Sequence, residues 1–318
     1  MDNDQEPIVT VVVLSYNFRG CLKECLDSVL EQDLDVPFEI IVADDASTDG
    51  SQELIRKYQN ERPATVRPIL RNKNVGANHN LAAALTKSQG QYIAYMDGDD
   101  LMKAGKLAKQ VAFLDYYPEC TVVAHQADRL LEGDTRTALP PREFPVKAEL
   151  ITFEPLLQYG NFIIHSSIMY RLSAIPRNGF PIYPWAMAYD FCRIMILAQT
   201  GMIGLIHETL GTYRVHAGGA SKSGSQNIWR LYYGPRRAIS VAKRTGCSDE
   251  SYKAGLANIR LWVALRYLLQ SDYVKFQKMI IMSRQARHLP DTYQGLLYRF
   301  RRLGPFINAA RSIKRLCR

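Results

Sequence analysis

The sequence predicts an α/β fold in which a mostly parallel sheet is flanked by helices. Apolar runs at residues 9–14, 38–43, 66–70 and 92–96 are separated by segments with helical periodicity. The first run is rich in β-branched residues and too continuous for a strand with one wet face, so it suits a buried parallel strand. Strands that alternate with helices require right-handed crossovers, which place the strands parallel to one another.

The predicted helices follow from apolar residues that recur at steps of three and four. The first helix lies between the first two strands and carries Leu22, Cys25, Leu26, Val29 and Leu30. The second presents Leu54, Ile55 and Tyr58 on one face, and a third, shorter helix spans residues 80–86. Helices are therefore expected in each connection between the four strands.

Polar residues follow three of the four predicted strands. The sequence Ser-Tyr-Asn follows the first strand, Asp-Asp follows the second, and Asp-Gly-Asp-Asp follows the fourth. Ligands of open α/β sheets bind outside the carboxyl ends of the strands. The three groups are therefore expected to meet in one site at that edge.

The acidic group at residues 97–100 carries the clearest chemistry. Three carboxylates within four residues repel one another unless a positive charge lies between them. Carboxylate oxygens suit a hard divalent cation, which commonly shares its remaining positions with phosphate oxygens and water. Asp97 is then expected to accept from ribose hydroxyls, while Asp99, with or without Asp100, holds a cation against a diphosphate. The alternative is an acidic turn that caps the next helix.

The two preceding groups suit a flat heterocycle. Ser15, Tyr16 and Asn17 offer a hydroxyl, a ring face and an amide. Asp45, or its neighbour Asp44, is expected to accept the imide N–H of a pyrimidine, which a charged acceptor binds more strongly than a neutral one. The alternative is that these two acids supply a helix cap and turn chemistry, and one of them is expected to do only that.

Four segments, in this order and spacing, resemble family 2 glycosyltransferases: VTVVVLSYN, EIIVADDASTDGS, NKNVGANHNLAAAL and YIAYMDGDD. The resemblance is strong over residues 8 to about 125 and weaker to about 220. It implies a GT-A fold, a nucleotide-sugar donor, for which a UDP-sugar is expected, and inversion at the anomeric carbon. It also implies a divalent metal, Mg²⁺ or Mn²⁺.

The resemblance assigns functional residues by position. The expected donor-binding residues are Ser15, Tyr16, Asn17, Asp44, Asp45, Asn80, Asp97, Gly98 and Arg214. The expected metal ligands are Asp97 and Asp99, which match the Asp-x-Asp motif, and His216. One departure concerns the helix after the third strand, where many members have an arginine near the diphosphate and this chain has Asn78-His79-Asn80. His79 either substitutes for that arginine or is structural.

Asp190 is the expected catalytic base. Inverting transfer needs a carboxylate that takes the proton of the acceptor hydroxyl. The family places it at the start of a helix in the second half, and here Tyr189-Asp190 precedes an apolar helix at residues 191–198. Family members often have Glu-Asp at this point, so the second acid is retained and the first is lost. The alternative is that Asp190 only caps the helix.

Residues 210–216 resemble the closing element of the family, a strand that ends in Tyr-Arg-x-His before a Gly/Ser loop over the donor. His216 is expected to reach the metal or the diphosphate, unless it simply caps the strand. Arg214 is expected to steady either a phosphate or a carboxylate. The glycines and serines after His216 suit a lid that opens for product release. Residues 161–167, including His165, are expected on the acceptor side.

Composition limits the remaining options. The chain has 318 residues and is 47% hydrophobic, enough for one large or two small domains. No apolar stretch reaches the roughly 18 residues of a membrane span, and the charged start is unlike a signal peptide. The six cysteines are scattered, with no second pair to complete a metal site beside Cys21 and Cys25. Reduced cysteines and a cytoplasmic location are expected.

The net charge of +9 is concentrated in a helical tail that begins near residue 229. Its last basic residues interleave with apolar ones; they are Arg299, Arg301, Arg302, Arg311, Lys314, Arg315 and Arg318. Such a tail suits peripheral contact with the anionic inner leaflet, where a lipid-linked saccharide acceptor would lie. The alternative is a solvated helix packed on the catalytic domain. No basic-aromatic module for nucleic acid is present, so nucleic acid is not an expected partner.

These observations predict a GT-A-like catalytic domain over residues 1–222, with a nucleotide-binding half at about 8–125 and an acceptor half at about 126–222. A helical C-terminal region is expected over 223–318. The expected activity is metal-assisted, inverting hexosyl transfer to a hydroxyl of a saccharide or lipid-linked saccharide in cell-surface polysaccharide biosynthesis. One alternative, a nucleotidyltransferase, usually has a Gly-rich phosphate loop where this chain has residues 15–17. The other is a non-catalytic nucleotide-sugar-binding protein.

Overall fold

A computed structural model of the chain describes residues 6–132, 136–141, 143–181, 189–216, 228–244, 246–290 and 292–303. The chain forms two compact units. The first, here called the sheet unit, comprises Met1–Thr152, Ile163–Ile182 and Ile196–Ala217. The second, here called the helical unit, comprises Phe153–Phe162, Tyr183–Met195 and Gly218–Arg318.

The first half of the sheet unit is a parallel β/α arrangement. Its strands are β1 (Val9–Ser15), β2 (Phe38–Asp44), β3 (Val66–Leu70) and β4 (Tyr92–Asp97). The helices between them are α1 (Arg19–Leu30), α2 (Ser51–Glu61) and α3 (Ala77–Lys87). The strands are parallel and lie in the order β3-β2-β1-β4. The predicted α/β fold is confirmed, and each predicted element is present.

The burial of β1 explains its continuous apolar composition. All seven of its residues are buried, because helices cover the sheet and neighbouring strands flank it on both edges. Helix α1 turns Leu22, Cys25, Leu26 and Val29 into the same core. The spacing that predicted this helix is therefore the spacing of its buried face.

The second half of the sheet unit mixes strand directions. Its described residues form α4 (Lys106–Tyr116) and the strands β5 (Leu101–Met102), β6 (Cys120–Glu132), β7 (Arg136–Leu139), β8 (Leu150–Ile151), β9 (Ile168–Arg171) and β10 (Met202–Val215). Strand β9 is antiparallel to both β4 and β6, and β10 is parallel to β6. Strand β10 therefore points the same way as β4. His216, the residue after β10, consequently lies at the edge where β4 ends.

The helical unit confirms the helices expected in the C-terminal region. It contains α5 (Glu154–Tyr159), most of α6 (Tyr189–Leu197), α7 (Ile228–Arg244), α8 (Asp249–Leu269), α9 (Tyr273–Ala286) and α10 (Gln294–Arg299). Ser248 and Asp272 cap α8 and α9, each accepting a backbone N–H from the first turn. The amide of Asn258 on α8 donates to the carbonyl of Leu157 at 2.9 Å. This bond helps to place α5 in the helical unit, on the other side of the predicted boundary at residue 222.

Some sequence expectations lie outside the described residues. They concern the Gly/Ser loop after residue 216 and the basic residues Arg311, Lys314, Arg315 and Arg318. Among the helices that the structure describes, none combines the length and apolar character required to cross a bilayer.

Candidate active site

Three strands of the sheet unit end at one edge with polar residues. Ser15 is the last residue of β1 and lies opposite Asp44, the last residue of β2. Asp97 ends β4 and lies opposite Leu14 of β1. Parallel pairing in this register brings the groups that follow each strand to the same edge, where open α/β sheets bind their ligands.

Two loops at this edge are joined through Asn17. Its backbone N–H donates to Ser47 Oγ at 2.8 Å, and its Oδ1 accepts the backbone N–H of Thr48 at 2.9 Å. Asn17 and Ala46 both have positive φ, of 56° and 65°, a conformation in which non-glycine residues are uncommon. Such strain often accompanies functional sites. The bonds hold the side chain of Asn17 while leaving the ring of Tyr16 46% exposed.

Asp44 and Asp45 have different surroundings. Asp44 is fully buried, and its carboxylate accepts from the backbone N–H and hydroxyl of Ser47 and from Gln52 Nε2. Asp45 accepts one backbone N–H on each oxygen, from Val75 at 2.8 Å and from Gly76 at 2.7 Å. Each oxygen of Asp45 retains a second lone pair. Asp44 therefore has a turn-stabilising role in this structure, and Asp45 retains capacity to accept from a ligand.

Asn80 and Arg71 form a second connection between strand ends. Asn80 is buried, donates to the carbonyl of Ala43 at 2.7 Å and accepts from Arg71 Nε at 2.9 Å. Arg71 directly follows β3, so its guanidinium is a cation near the carboxyl edge that sequence reasoning missed. The signal was its position one residue after a predicted strand. His79 contacts the carbonyl of Val75 through Nδ1 at 3.1 Å.

Gly98 is explained by close packing. Its N–H donates to the carbonyl of Leu14 at 2.8 Å. A Cβ atom at this position would lie 2.8 Å from that carbonyl oxygen and 3.3 Å from the ring of Phe18. Only glycine allows the turn between the two acids to approach β1 this closely.

Asp97 is oriented by neighbouring side chains. Its Oδ1 accepts the hydroxyl of Tyr95 at 2.6 Å, and its Oδ2 lies 3.4 Å from Ser166 Oγ and 3.9 Å from His165 Nδ1. The rings of Tyr95 and His165 are in contact, with centroids 3.6 Å apart and an interplanar angle of 35°. His165 is therefore close to the acidic group in the sheet unit.

Asp99 and His216 form a pair across the sheet unit. Asp99 Oδ2 lies 2.9 Å from His216 Nε2, and the imidazole meets the ring of Phe18 edge-on. Within the described residues, no three His, Cys, Asp or Glu side chains are close enough to hold a metal ion by themselves. The pair nevertheless offers one oxygen and one nitrogen ligand. This set fits a divalent cation whose remaining coordination positions are taken by phosphate oxygens.

A buried lysine lies near the acidic group. Burial, together with the charges of Asp99 and Asp97, raises the pKa of Asp100 well above its usual range. Lys106, on the first turn of α4, is fully buried and donates to the carbonyl of Ser166 at 2.7 Å. Burial lowers the pKa of Lys106 to about 7, and the nearby Asp100 opposes that shift. Sequence reasoning missed Lys106, because a lysine in the first turn of an amphipathic helix is normally solvated.

Arg214 is also buried. Its guanidinium pairs with Glu24 of α1 and Glu132 of β6, and its Nε donates to the carbonyl of Asp99 at 2.6 Å. Of the two partners left open by the sequence, phosphate and carboxylate, the structure places carboxylates beside Arg214. Glu24 and Glu132 had no sequence signal, since 190 and 82 residues respectively separate them from their partner.

Asp190 lies in the helical unit at the start of α6. It is half-buried, and its Oδ2 accepts from Asn161 Nδ2 at 3.2 Å. Burial raises the pKa of Asp190 above its usual value, against the opposing effects of the Phe191 N–H and the charge of Arg193. A carboxyl group with a raised pKa is a stronger base once it is ionised.

Comparisons with known proteins agree with this fold. The family model described as Glycosyl transferase family 2 matches residues 10–176. An uncharacterized protein of Mycobacterium tuberculosis, Rv1520, is 35% identical over 239 residues. The match covers 72% of this chain and 62% of that protein, so the chain spans less than two thirds of the length of this relative.

Two solved structures share the fold at lower identity. Staphylococcus aureus TarS 1–349 in complex with UDP-GlcNAc superposes with a TM-score of 0.68 at 19% identity, covering 94% of this chain and 88% of that one. TarS is named a poly(ribitol-phosphate) β-N-acetylglucosaminyltransferase. A mannosyltransferase from Pyrobaculum calidifontis, with GDP-Man and Mn²⁺, gives a TM-score of 0.61 at 21% identity and covers 99% and 84% of the two chains. These likenesses confirm the GT-A fold. With the match of the family model over more than half of its length, the chain belongs to glycosyltransferase family 2, a family of enzymes.

Proposed function

We propose that this protein transfers a hexosyl group from a nucleotide sugar, a UDP-sugar, to a hydroxyl of a saccharide acceptor, with inversion at the anomeric carbon. The observation that carries the proposal is the placement of Asp45, Asp97 and the Asp99–His216 pair at one edge of the sheet unit. The UDP-GlcNAc of the TarS complex supports the choice of donor.

Each side chain at the edge has a proposed role. The free lone pairs of Asp45 accept the imide N–H of uracil, and the exposed ring of Tyr16 covers the base. The carboxylate of Asp97, held by Tyr95 and Ser166, accepts from the ribose hydroxyls. The hydrogen bonds of Asn17, Asn80 and Gly98 hold the loops that carry the proposed donor-binding side chains before the donor arrives. This reduces the entropy that is lost when the donor binds.

We propose that Asp99 and His216 hold a divalent cation together with oxygens of the donor diphosphate. When bound, the cation offsets the charge that develops on the departing nucleoside diphosphate. A carboxylate oxygen beside an imidazole nitrogen suits Mn²⁺ better than Mg²⁺, which prefers oxygen ligands. The Mn²⁺ of the mannosyltransferase complex supports this choice.

Asp190 is the proposed base that takes the proton of the acceptor hydroxyl. Its place at the start of α6, its hydrogen bond from Asn161 and its raised pKa support this role. General bases contribute roughly 10²–10⁴-fold to rate, so its loss is expected to abolish detectable transfer.

The proposed acceptor is a polymeric or lipid-linked saccharide at a membrane surface. The proposed process is the biosynthesis of a cell-surface polysaccharide. The acceptor in the name of TarS, poly(ribitol-phosphate), supports a surface polymer. The helical unit exposes Leu296 on α10 and Tyr293 and Phe300 at its two ends, near Arg299 and Arg302 in the sequence. Exposed apolar residues beside arginines suit an anionic membrane surface.

The proposal is tested by measuring release of UDP from UDP-GlcNAc, UDP-glucose and UDP-galactose with saccharide acceptors, in MnCl₂ and in EDTA. At least one donor should give UDP release that depends on the acceptor and is lost in EDTA. Binding of UDP-sugars without turnover under every condition would instead support the non-catalytic alternative. Formation of a nucleotide sugar from a sugar phosphate and UTP would support the nucleotidyltransferase.

A further inference from the structure

Arg214 is the largest fully buried side chain among the described residues, although it carries a permanent charge. It lies near the end of β10, two residues before His216. A buried guanidinium is retained only when charged and polar partners satisfy it, because removing a charge from water is costly. The partners of Arg214 therefore indicate what it does.

All three nitrogens of the guanidinium have partners. Nε donates to the main-chain carbonyl of Asp99 at 2.6 Å, Nη2 donates to Glu24 Oε2 at 2.9 Å, and Nη1 donates to Glu132 Oε1. The backbone N–H of Arg214 donates to Asp100 Oδ1 at 2.8 Å. One residue thus joins α1, β6 and the acidic turn to β10.

A second arginine contacts the two carboxylate partners of Arg214 from the solvent side. Arg136 at the start of β7 donates to both oxygens of Glu24 at 3.0 Å and to Glu132 Oε1 at 2.9 Å. Two carboxylates therefore lie between two guanidinium groups. Hydrogen bonding from Arg214 is the main cause that lowers the pKa of Glu24, so this carboxylate stays charged at neutral pH.

These contacts fix both halves of the Asp99–His216 pair. Arg214 binds the main chain at Asp99 and the side chain of Asp100, which sets the position of the acidic turn. It also anchors the end of the strand that continues into His216. Residues two apart on an extended segment share a face, so the imidazole is directed to the side where Asp99 lies.

We propose that Arg214, supported by Glu24, Glu132 and Arg136, is a positioning residue that holds Asp99 and His216 at the separation needed to bind a divalent cation. This inference deepens the proposed function and rests on it for the identity of the cation. Because the three guanidinium nitrogens already bond the Asp99 carbonyl, Glu24 and Glu132, the proposal gives Arg214 this positioning role in place of the expected contact with the donor. Groups that orient metal ligands typically change metal affinity or activity by 10–100-fold when they are removed.

The test compares Arg214→Lys with the parent and with Lys109→Gln, which breaks an exposed ion pair with Glu208 in the same unit. Lysine keeps the charge but cannot reach three acceptors with a planar fork. We expect Mn²⁺ affinity in the presence of UDP, measured by calorimetry well below the unfolding temperature, to fall about 10–100-fold in Arg214→Lys. UDP affinity without Mn²⁺ should change less than about twofold, and Lys109→Gln should match the parent.

Glu24→Gln provides a milder variant, because Glu24 is half-buried and Gln still accepts one hydrogen bond. An intermediate loss of Mn²⁺ affinity is expected. A lower unfolding temperature with unchanged Mn²⁺ affinity in both variants would show a merely structural role and overturn the proposal.

A metal-free crystal structure of Arg214→Lys tests the positioning separately from the proposed function. The proposal predicts that Asp99 Oδ2 and His216 Nε2 move out of hydrogen-bond distance. Retention of their 2.9 Å separation in the variant would overturn it, whether or not the parent binds Mn²⁺ or UDP.

Discussion

His216 Nε2 lies 2.9 Å from Asp99 Oδ2, although 117 residues separate the two in the sequence. The pairing follows from the direction of β10, which is parallel to β6 and so ends at the same sheet edge as β4. A short strand, β5, also pairs with β10 just after the acidic turn. The carboxyl end of β10, in the second half of the sheet unit, is thereby placed at the same edge as the carboxyl end of β4, in the first half.

Replacement of His216 by alanine is expected to reduce transfer about 100-fold or more, through loss of a proposed metal donor, while the fold is retained. The side chain is partly exposed, so its removal leaves no large cavity. Steady-state UDP release and thermal unfolding measure the two effects. The matched control is His207→Ala, at an exposed position on β10. Equal activity of the two variants would remove His216 from the site.

Gly98→Ala is expected to lower the free energy of unfolding by about 1–3 kcal/mol and to reduce transfer, because the new methyl group meets the backbone at Leu14. Gly20→Ala on α1 is the control, since nothing lies within 4 Å of its Cβ position. Alanine there should be neutral or stabilise by up to about 1 kcal/mol. Urea unfolding measures both. Similar stability of the two variants would contradict the packing explanation of Gly98.

Asp45→Asn is expected to weaken UDP binding by about tenfold or more and to leave ADP binding nearly unchanged. The charged acceptor for the imide N–H is lost, and adenine has no such donor. Calorimetry with the two nucleotides measures the difference. The amide also leaves Val75 or Gly76 without an acceptor, so the free energy of unfolding should fall by about 1–3 kcal/mol. An equal loss of affinity for both nucleotides would indicate damage to the loop instead of lost recognition.

Asp190→Asn is expected to abolish transfer, by at least about 100-fold, and to leave the helical unit folded. Because burial raises the pKa of Asp190 in the folded state, the folded protein binds this proton more tightly than the unfolded chain does. The contribution of Asp190 to stability is therefore fullest at acid pH and declines as pH rises through the folded pKa.

The asparagine variant lacks this titration. It should be at least as stable as the parent at neutral pH, and its advantage should disappear below the pKa of an unfolded aspartate. Chemical unfolding across this pH range measures the trend. Near-normal turnover in Asp190→Asn would show that another group is the base.

Leu296→Ser combined with Phe300→Ser is expected to reduce binding to vesicles of phosphatidylglycerol and phosphatidylcholine several-fold. Both side chains are exposed on or beside α10, so the substitutions should not disturb the core. Co-sedimentation measures the bound fraction, and Tyr116→Ser in the sheet unit is the control, with a tyrosine that is 76% exposed. Equal binding of all three proteins would exclude this surface from membrane contact.

The first half of the fold was predictable because its signals are local. Strand β1 and helix α1 are specified by runs and spacings within about a dozen residues, and their buried faces match those spacings. The second half was less predictable. Strand β9 is four residues long and is antiparallel to both of its neighbours, so the alternation of strands and helices does not predict its position in the sheet.

The residues of the candidate site likewise differ in whether local sequence signals could predict their roles. Asp45 and Asp99 could be assigned because each directly follows a strand or matches a short motif. Lys106 and the carboxylates that hold Arg214 could not, because their roles depend on burial and on pairing between distant segments. The packing reason for Gly98 likewise exists only when β1 and β4 lie side by side.

The proposed nucleotide and cation sites can be located directly in a crystal structure of the protein grown with UDP and MnCl₂, with anomalous data collected for manganese. We expect a manganese peak bonded to Asp99 and His216, and uracil hydrogen-bonded to Asp45. Nucleotide bound away from the carboxyl edge of the sheet, or a manganese peak remote from Asp99, would contradict the proposal.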